Sequence, residues 1–134
     1  GRFTLRSKLN LILQQFALDE VPDLTPRYNI APTKAVPVIR ATESGRELTM
    51  LRWGLIPSWS KDEKMGNRLL NARSETAAEK PSFRSAFRRR RCLVVADGFY
   101  EWKKTGNGKS NSGKGTPKQP FDIGMRDERP FAFA

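Results

Sequence analysis

Histidine is absent from the 134 residues. Without an imidazole, these residues cannot build a His-based catalytic triad or a His-ligated zinc site. Cysteine occurs once, at Cys92, which excludes an internal disulfide and suits a reducing compartment. Long apolar runs are missing as well. None approaches the roughly 20 residues of a membrane-spanning helix, and the polar opening Gly1-Arg2-Phe3-Thr4 is no secretory signal. A cytoplasmic protein is the expectation, with no membrane partner. There is no zinc spacing, phosphate-binding loop, dinucleotide fingerprint or Ser/Cys triad. Neither a metal nor a cofactor is therefore expected.

Acidic residues are also scarce. Against 25 Lys and Arg there are 14 Asp and Glu, a net charge of +11. On a chain of single-domain size, that excess favours a polyanionic partner, nucleic acid first. An anionic membrane surface is the weaker match, because no long basic amphipathic helix is evident. A solvated basic surface without a partner is the plain alternative.

Periodicity supplies the elements. Leu9, Ile12, Leu13 and Phe16 follow the i, i+3, i+4, i+7 spacing of an amphipathic helix, with Thr4 or Ser7 available as N-cap. Residues 19–26 are acidic and Pro-punctuated, and read as a loop. A strand is expected over 35–40, a turn at Ser44-Gly45 and a second strand over 47–53, which together make a hairpin. Short helices fit 74–80 and 82–88, separated by Pro81. A buried strand is expected over 91–96, another over 99–103, and further strands around Phe121-Asp122-Ile123 and 130–134. Residues 104–118 are rich in Gly, Ser, Asn and Lys without an acid, and read as a flexible hairpin loop. The sum is an α+β fold, mainly antiparallel sheet or open barrel with a few short helices. A terminal apolar strand without a polar cap suggests truncation at the C-terminus.

Two segments hold candidate chemistry. Ala96-Asp97-Gly98-Phe99-Tyr100-Glu101-Trp102-Lys103-Lys104 sets one carboxylate among three aromatics. With a period of 2, Asp97, Phe99 and Glu101 share a face, and Tyr100 and Trp102 take the other. Glu101 is expected to lean into a partly buried cleft suited to proton transfer, or else to be an ordinary salt-bridged strand residue. In Asn71-Ala72-Arg73-Ser74-Glu75-Thr76, an amide that can fix a reacting group stands two residues from a guanidinium that can grip phosphate. Asn71 as a turn residue and Arg73 as a surface charge are the structural alternatives. Arg88-Arg89-Arg90-Arg91, with Arg84 one turn earlier, can face phosphate or simply satisfy a helix end. Trp53 and Trp59 flank residues 54–58 and offer base-stacking platforms, with core packing favoured for Trp53. Cys92, inside an apolar strand, reads as an inert core thiol.

Taken together, these segments resemble the SRAP family, the SOS-response-associated peptidases that sense abasic sites in single-stranded DNA. The motifs that carry the resemblance are Gly1-Arg2-Phe3, Arg27-Tyr28-Asn29-Ile30-Ala31-Pro32, Trp53-Gly54-Leu55-Ile56-Pro57, Asn71 to Thr76, and Ala96 to Trp102, in that order and spacing. The resemblance implies one SRAP-like domain over 1–134 and a covalent mechanism. Family members begin Met-Cys-Gly-Arg-Phe, remove the Met themselves, and form a thiazolidine with the ring-opened abasic site through the exposed cysteine. On matching positions, Glu101 is the proton-transfer carboxyl and Asn71 orients the N-terminus. Arg2 and Arg73 hold phosphates near the lesion. Asn29, Pro32, Trp53 and Trp59 line the DNA groove. The family's cysteine would precede Gly1 and its catalytic histidine belongs to a later segment, so these residues alone are expected to be inactive. The expected partner is single-stranded DNA containing abasic sites, bound by a monomer.

Two other readings stand beside this one. A non-catalytic basic module for single-stranded nucleic acid would have some residue other than cysteine before Gly1. A hydrolase acting on an unrelated small substrate would use Glu101 but leave the +11 charge without a purpose.

Overall fold

The β-branched and alternating stretches form strands, and every strand pairing is antiparallel. The computed structural model describes residues 1–105 and 117–134. In chain order the elements are β1 (Phe3–Leu5), α1 (Leu9–Phe16), β2 (Arg27–Ile30), β3 (Ala35–Thr42) and β4 (Gly45–Arg52). A 3-10 turn (Glu63–Asn67), α2 (Ser74–Ala77) and α3 (Arg84–Arg89) follow. The chain then runs through β5 (Leu93–Ala96), β6 (Gly98–Lys104), β7 (Lys118–Gly124) and β8 (Phe131–Phe133). Two four-stranded sheets result, ordered β2-β1-β6-β7 and β4-β3-β5-β8. The fold is α+β as expected, and both sheets stay open rather than closing into a barrel.

One apolar core draws on both sheets and on α1. Ile12 and Phe16 bury the inner stripe of α1 beside Phe3, Leu5, Ile30, Val38 and Val95. Each such side chain contributes about 1.5–3 kcal/mol by leaving water. β3 lies between β4 and β5, and its residues Val36, Pro37, Val38 and Ile39 are buried in succession. Both of its faces are covered, which explains an apolar run without alternation. The β3–β4 hairpin pairs Thr42 with Gly45, so Glu43 and Ser44 form the turn and Gly45 already opens β4. The hairpin is the expected one with its turn moved by one residue.

Several boundaries differ from expectation. Neither Thr4 nor Ser7 caps α1; the cap position is Lys8, with no side-chain bond. Thr4 is fully buried in β1, and Ser7 is engaged by Asp97. α2 and α3 are shorter than 74–80 and 82–88. Among their residues only Ala77 is buried, too little apolar contact to hold longer helices. β5 is buried only at Val95 and Ala96, since Leu93 at its start is exposed. The expected flexible loop over 104–118 falls largely on residues 106–116, which lie outside the described residues. Its ends do form a hairpin: Lys104 pairs with Lys118, and the Thr105 N–H donates to the Pro117 carbonyl at 3.0 Å.

Asp97 fixes the path from β1 into α1. Its buried carboxylate accepts from the Arg6 N–H, from the Ser7 N–H at 2.7 Å and from the Ser7 hydroxyl at 2.5 Å. Across from it, a Cβ on Gly124 would come within 2.6 Å of the Asp97 carbonyl oxygen, so glycine is what lets β7 pass so close to the start of β6. Charge-assisted hydrogen bonds of this kind contribute more than neutral ones. Asp97→Ala should therefore lower stability by about 2–4 kcal/mol, read as a fall in the urea midpoint. An unchanged midpoint would show that this carboxylate does not secure the β1–α1 connection.

Candidate functional site

The chain's first residues run along β6. Phe3 is opposite Phe99 and Thr4 opposite Gly98, and the Tyr100 N–H donates to the Arg2 carbonyl at 2.9 Å. Continuing that register by two residues sets Gly1 across from Glu101. Successive strand residues alternate faces, so Phe99 and Glu101 share one face of β6, and Tyr100 and Trp102 share the other. Glu101 itself is exposed, contrary to the partly buried cleft expected for it. The reason is its other neighbour. Glu101 pairs with Phe121 on β7, an edge strand exposed along its whole length, so water reaches the carboxylate from that side. Among the described residues, no hydrogen bond or ion pair engages it.

Arg2 and Asn29 meet. The Arg2 guanidinium donates to Asn29 Oδ1 at 3.0 Å, and both side chains are exposed. β6 is tied to β2 across β1 by the Tyr100 hydroxyl, which donates to the Tyr28 carbonyl at 2.8 Å. Sequence reasoning assigned Tyr100 only to a face. An aromatic-rich strand was the available signal, but the carbonyl it reaches was not readable. Pro32 is half-buried in the turn after β2, where Thr33 takes a positive φ of 71°.

Trp53 links that turn to the Asn71 segment. Its backbone carbonyl accepts from the Thr33 N–H at 3.0 Å, and its own N–H donates to the Lys34 carbonyl at 2.9 Å. The indole N–H donates to the Leu70 carbonyl at 2.8 Å, and the ring packs 5.4 Å from that of Phe3. Trp53 is thus a half-buried packing residue, not a free platform. Trp59, at 58% exposure, does present an open ring. The loop between them is held by Gly54, whose φ of 133° and contact with the Gly66 carbonyl leave no room for a Cβ. The Leu55 N–H also donates to the Leu69 carbonyl at 2.9 Å.

Asn71 and Arg73 follow Leu70 and are both exposed. Arg73 occupies the N-cap position of α2, where its carbonyl accepts from the Ala77 N–H at 2.9 Å and its side chain makes no cap bond. The structure therefore sets Gly1 and Arg2, which lead into β1, between the strands that carry Asn29 (β2) and Glu101 (β6). It joins the Asn71 segment to them through Trp53 and Phe3. No hydrogen bond joins Asn71 to Glu101. A cleft of about 760 Å³ lined by Arg6, Asp97, Asp122 and Arg126 lies at the other end of β1. Among the described residues, no group of three or more His, Cys, Asp or Glu is placed to hold a metal. Nor is any helix there long and apolar enough to cross a membrane.

An antiparallel two-sheet α+β fold, with the chain's start laid against a carboxylate-bearing strand, defines the class. The chain belongs to the SOS response associated peptidase (SRAP) family, whose model matches residues 1–134. It is 43% identical over 137 residues to the abasic site processing protein YoqW of Bacillus subtilis, covering all of this chain and 58% of that protein. It is 41% identical over 96 residues to the abasic site processing protein HMCES of Gallus gallus, covering 63% of this chain and 29% of that one. Among solved structures, a protein from Bacteroides thetaiotaomicron matches with a TM-score of 0.75 at 26% identity, over 98% of this chain and 56% of its own. A phage-related protein from Bordetella bronchiseptica matches with a TM-score of 0.74 at 27% identity, over 99% and 58%. The chain thus spans somewhat more than half the length of YoqW and of these structures.

Cys92 stands outside this site. Burial pushes its thiol up, and the nearby Arg40 offsets that only in part. Folded, the thiol stays protonated at a pH where the unfolded one, near pKa ~8.5, has begun to ionise. The stability this contributes is complete below that pH and declines as pH rises above it. At mildly alkaline pH, iodoacetamide should alkylate Cys92 more slowly in the folded protein than in urea. Equal rates would show an open, reactive thiol.

Proposed function

We propose that the protein processes abasic sites in single-stranded DNA by crosslinking to them through an N-terminal cysteine that precedes Gly1 and is exposed by autoproteolytic removal of Met. Residues 1–134 act as one SRAP-like domain of a cytoplasmic monomer that associates with DNA. The cysteine amine attacks the aldehyde carbon of the ring-opened sugar to give a carbinolamine. Loss of water, with a proton delivered to the departing hydroxyl by Glu101, leaves an imine. The thiol then adds to the imine carbon and its proton passes to nitrogen, closing the thiazolidine. Asn71 orients the N-terminus. Arg2 and Arg73 take phosphates near the lesion, and Asn29, Pro32, Trp53 and Trp59 form the DNA groove, with Trp59 as the open stacking face.

The observation that carries this reading is the β1–β6 register, with Phe3 opposite Phe99 and the Tyr100 N–H on the Arg2 carbonyl, whose continuation by one further residue brings Gly1 opposite Glu101. Facing residues in such a non-hydrogen-bonded pair lie about 4.5 Å apart at Cα. A residue immediately before Gly1 is therefore within reach of the carboxyl. Family membership and the names of the relatives support abasic sites as what is processed. The exposure of Glu101 favours one competing reading, a basic module that binds single-stranded nucleic acid without chemistry.

The test is adduct formation with an abasic oligonucleotide, resolved on a denaturing gel. Glu101→Gln should slow both Met removal and crosslinking by about 100-fold while affinity for undamaged single strands stays within twofold of the parent's. Crosslinking by Glu101→Gln at the parent rate would overturn the assignment of Glu101, and an absence of any adduct in the parent would favour the binding module.

Arg73→Ala tests the phosphate role. Loss of one phosphate contact should weaken binding and make the slope of log K against log salt shallower by about 0.7. An unchanged slope would make Arg73 a surface charge.

A further inference from the structure

Residues 80–91 carry Lys80, Arg84, Arg88, Arg89, Arg90 and Arg91 with no acid among them. All six side chains are exposed. The ion pairs among the described residues use Arg6, Arg40 and Arg129, and none uses this segment. Helix chemistry explains only part of the pattern. Arg88 and Arg89 lie in the last turn of α3, where cations complement the backbone dipole. Arg84 is the first residue of α3, at the end where a cation gains nothing from that dipole. Arg84 and Arg88 also stand four apart, a like-charge spacing that destabilises a helix. Packing gives little back, since no residue of α3 is fully buried. An arrangement that costs the fold free energy is explained by something outside the fold.

Aromatic residues accompany the charge. Phe83 is half-buried and Phe87 is 44% exposed, also four apart, so an apolar stripe runs beside the Arg84–Arg88 stripe. Cations beside an open ring suit a strand that offers both phosphates and unpaired bases. A lipid surface fits less well. α3 has six residues, and its apolar face is too small to bury in a headgroup layer. The segment feeds β5, in the sheet that does not contain β1 or β6.

We propose that residues 80–91 form a second nucleic-acid contact, in which the arginine run takes phosphodiesters of single-stranded DNA outside the reacting nucleotide. This rests on the single-stranded DNA reading above and adds a separate surface to it. The run sets how tightly the strand is held and how steeply binding depends on salt, and it takes no part in the covalent step.

The full-length protein and a fluorescein-labelled oligothymidylate without an abasic site provide the test, by anisotropy across a salt series. Replacing Arg88, Arg89 and Arg90 together by Gln should make the slope of log K against log salt shallower by about 2. The corresponding Lys variant should keep the parent slope, since counterion release follows charge. At saturating abasic DNA the Gln variant should crosslink at the parent rate, and circular dichroism should show parent-like folding. An unchanged slope in a folded Gln variant that still crosslinks overturns this proposal and leaves the proposed function standing. A parent that neither binds the oligothymidylate nor crosslinks overturns the proposed function and this inference with it. If the Gln variant instead loses binding to phosphatidylserine vesicles while its DNA slope is unchanged, the patch belongs to a lipid surface and the proposal fails.

Discussion

Three separate stretches of the chain meet at Trp53. Its ring lies on Phe3, its indole N–H holds the Leu70 carbonyl, and its backbone is bonded in both directions to the turn after β2. Each hydrogen bond is worth about 1 kcal/mol net, and the ring buries more than any aliphatic side chain could. The value of the residue lies in the combination. Phenylalanine could fill the space but would leave the Leu70 carbonyl without its donor. A polar residue could reach the carbonyl but would abandon Phe3. Tryptophan is the side chain with a large apolar body and a donor at its rim. Remove that joint and the start of β1, the turn at Pro32 and the Asn71 segment lose their common reference point.

The same economy appears along β1. Three residues long, it is nonetheless hydrogen-bonded on both sides, to β2 and to β6. One end is fastened by Asp97, whose buried carboxylate collects the Arg6 and Ser7 donors and directs the chain into α1. The other end is held by the Tyr100 N–H and stays open to solvent, where Arg2 and Gly1 face outward and Glu101 lies across the ladder. Stability and accessibility are thus assigned to opposite ends of one short strand. Two carboxylates on neighbouring parts of one motif play opposite parts for this reason. Asp97 is fully engaged in holding structure, while the carboxylate of Glu101, two residues past Phe99, has no hydrogen-bond or ion-pair partner among the described residues.

Local pattern made much of this legible. The stripe of α1, the β3–β4 hairpin and the alternation of β6 depend on neighbours in sequence, and they formed within a residue or two of expectation. What could not be read was set by partners distant in the chain. Ser7 looks like a helix cap until Asp97 arrives from β5's end to take its hydroxyl. Trp53 reads as a packing residue from its sequence, but that Leu70 and Phe3 are what occupy its N–H and its ring comes only from the fold. Glu101 was expected to be sheltered because its strand is aromatic, yet shelter depends on the strand beside it, and β7 is an exposed edge. Burial is a property of the assembled sheet, and no reading of a single strand determines it.

Charge placement follows a similar division. Arg2 stands beside Asn29 at the entry to β1 and Arg73 at the start of α2, whereas Arg84 and the run from Arg88 to Arg91 form a dense group along and just after α3. At physiological salt, fields between exposed charges fade over about 8 Å, so groups farther apart than that act on a bound strand independently. Two independent contacts on one strand multiply, because occupying the first raises the effective concentration at the second. Condensation of an amine with an aldehyde is slow beside diffusive escape from a few phosphate contacts. A distant contact that lengthens residence without touching the reacting atoms therefore aids a covalent step, even though it leaves the chemistry unchanged. On the proposed second contact, charge that folding alone would select against has a reason, since like-charge repulsion along α3 would be offset by a polyanion lying along it.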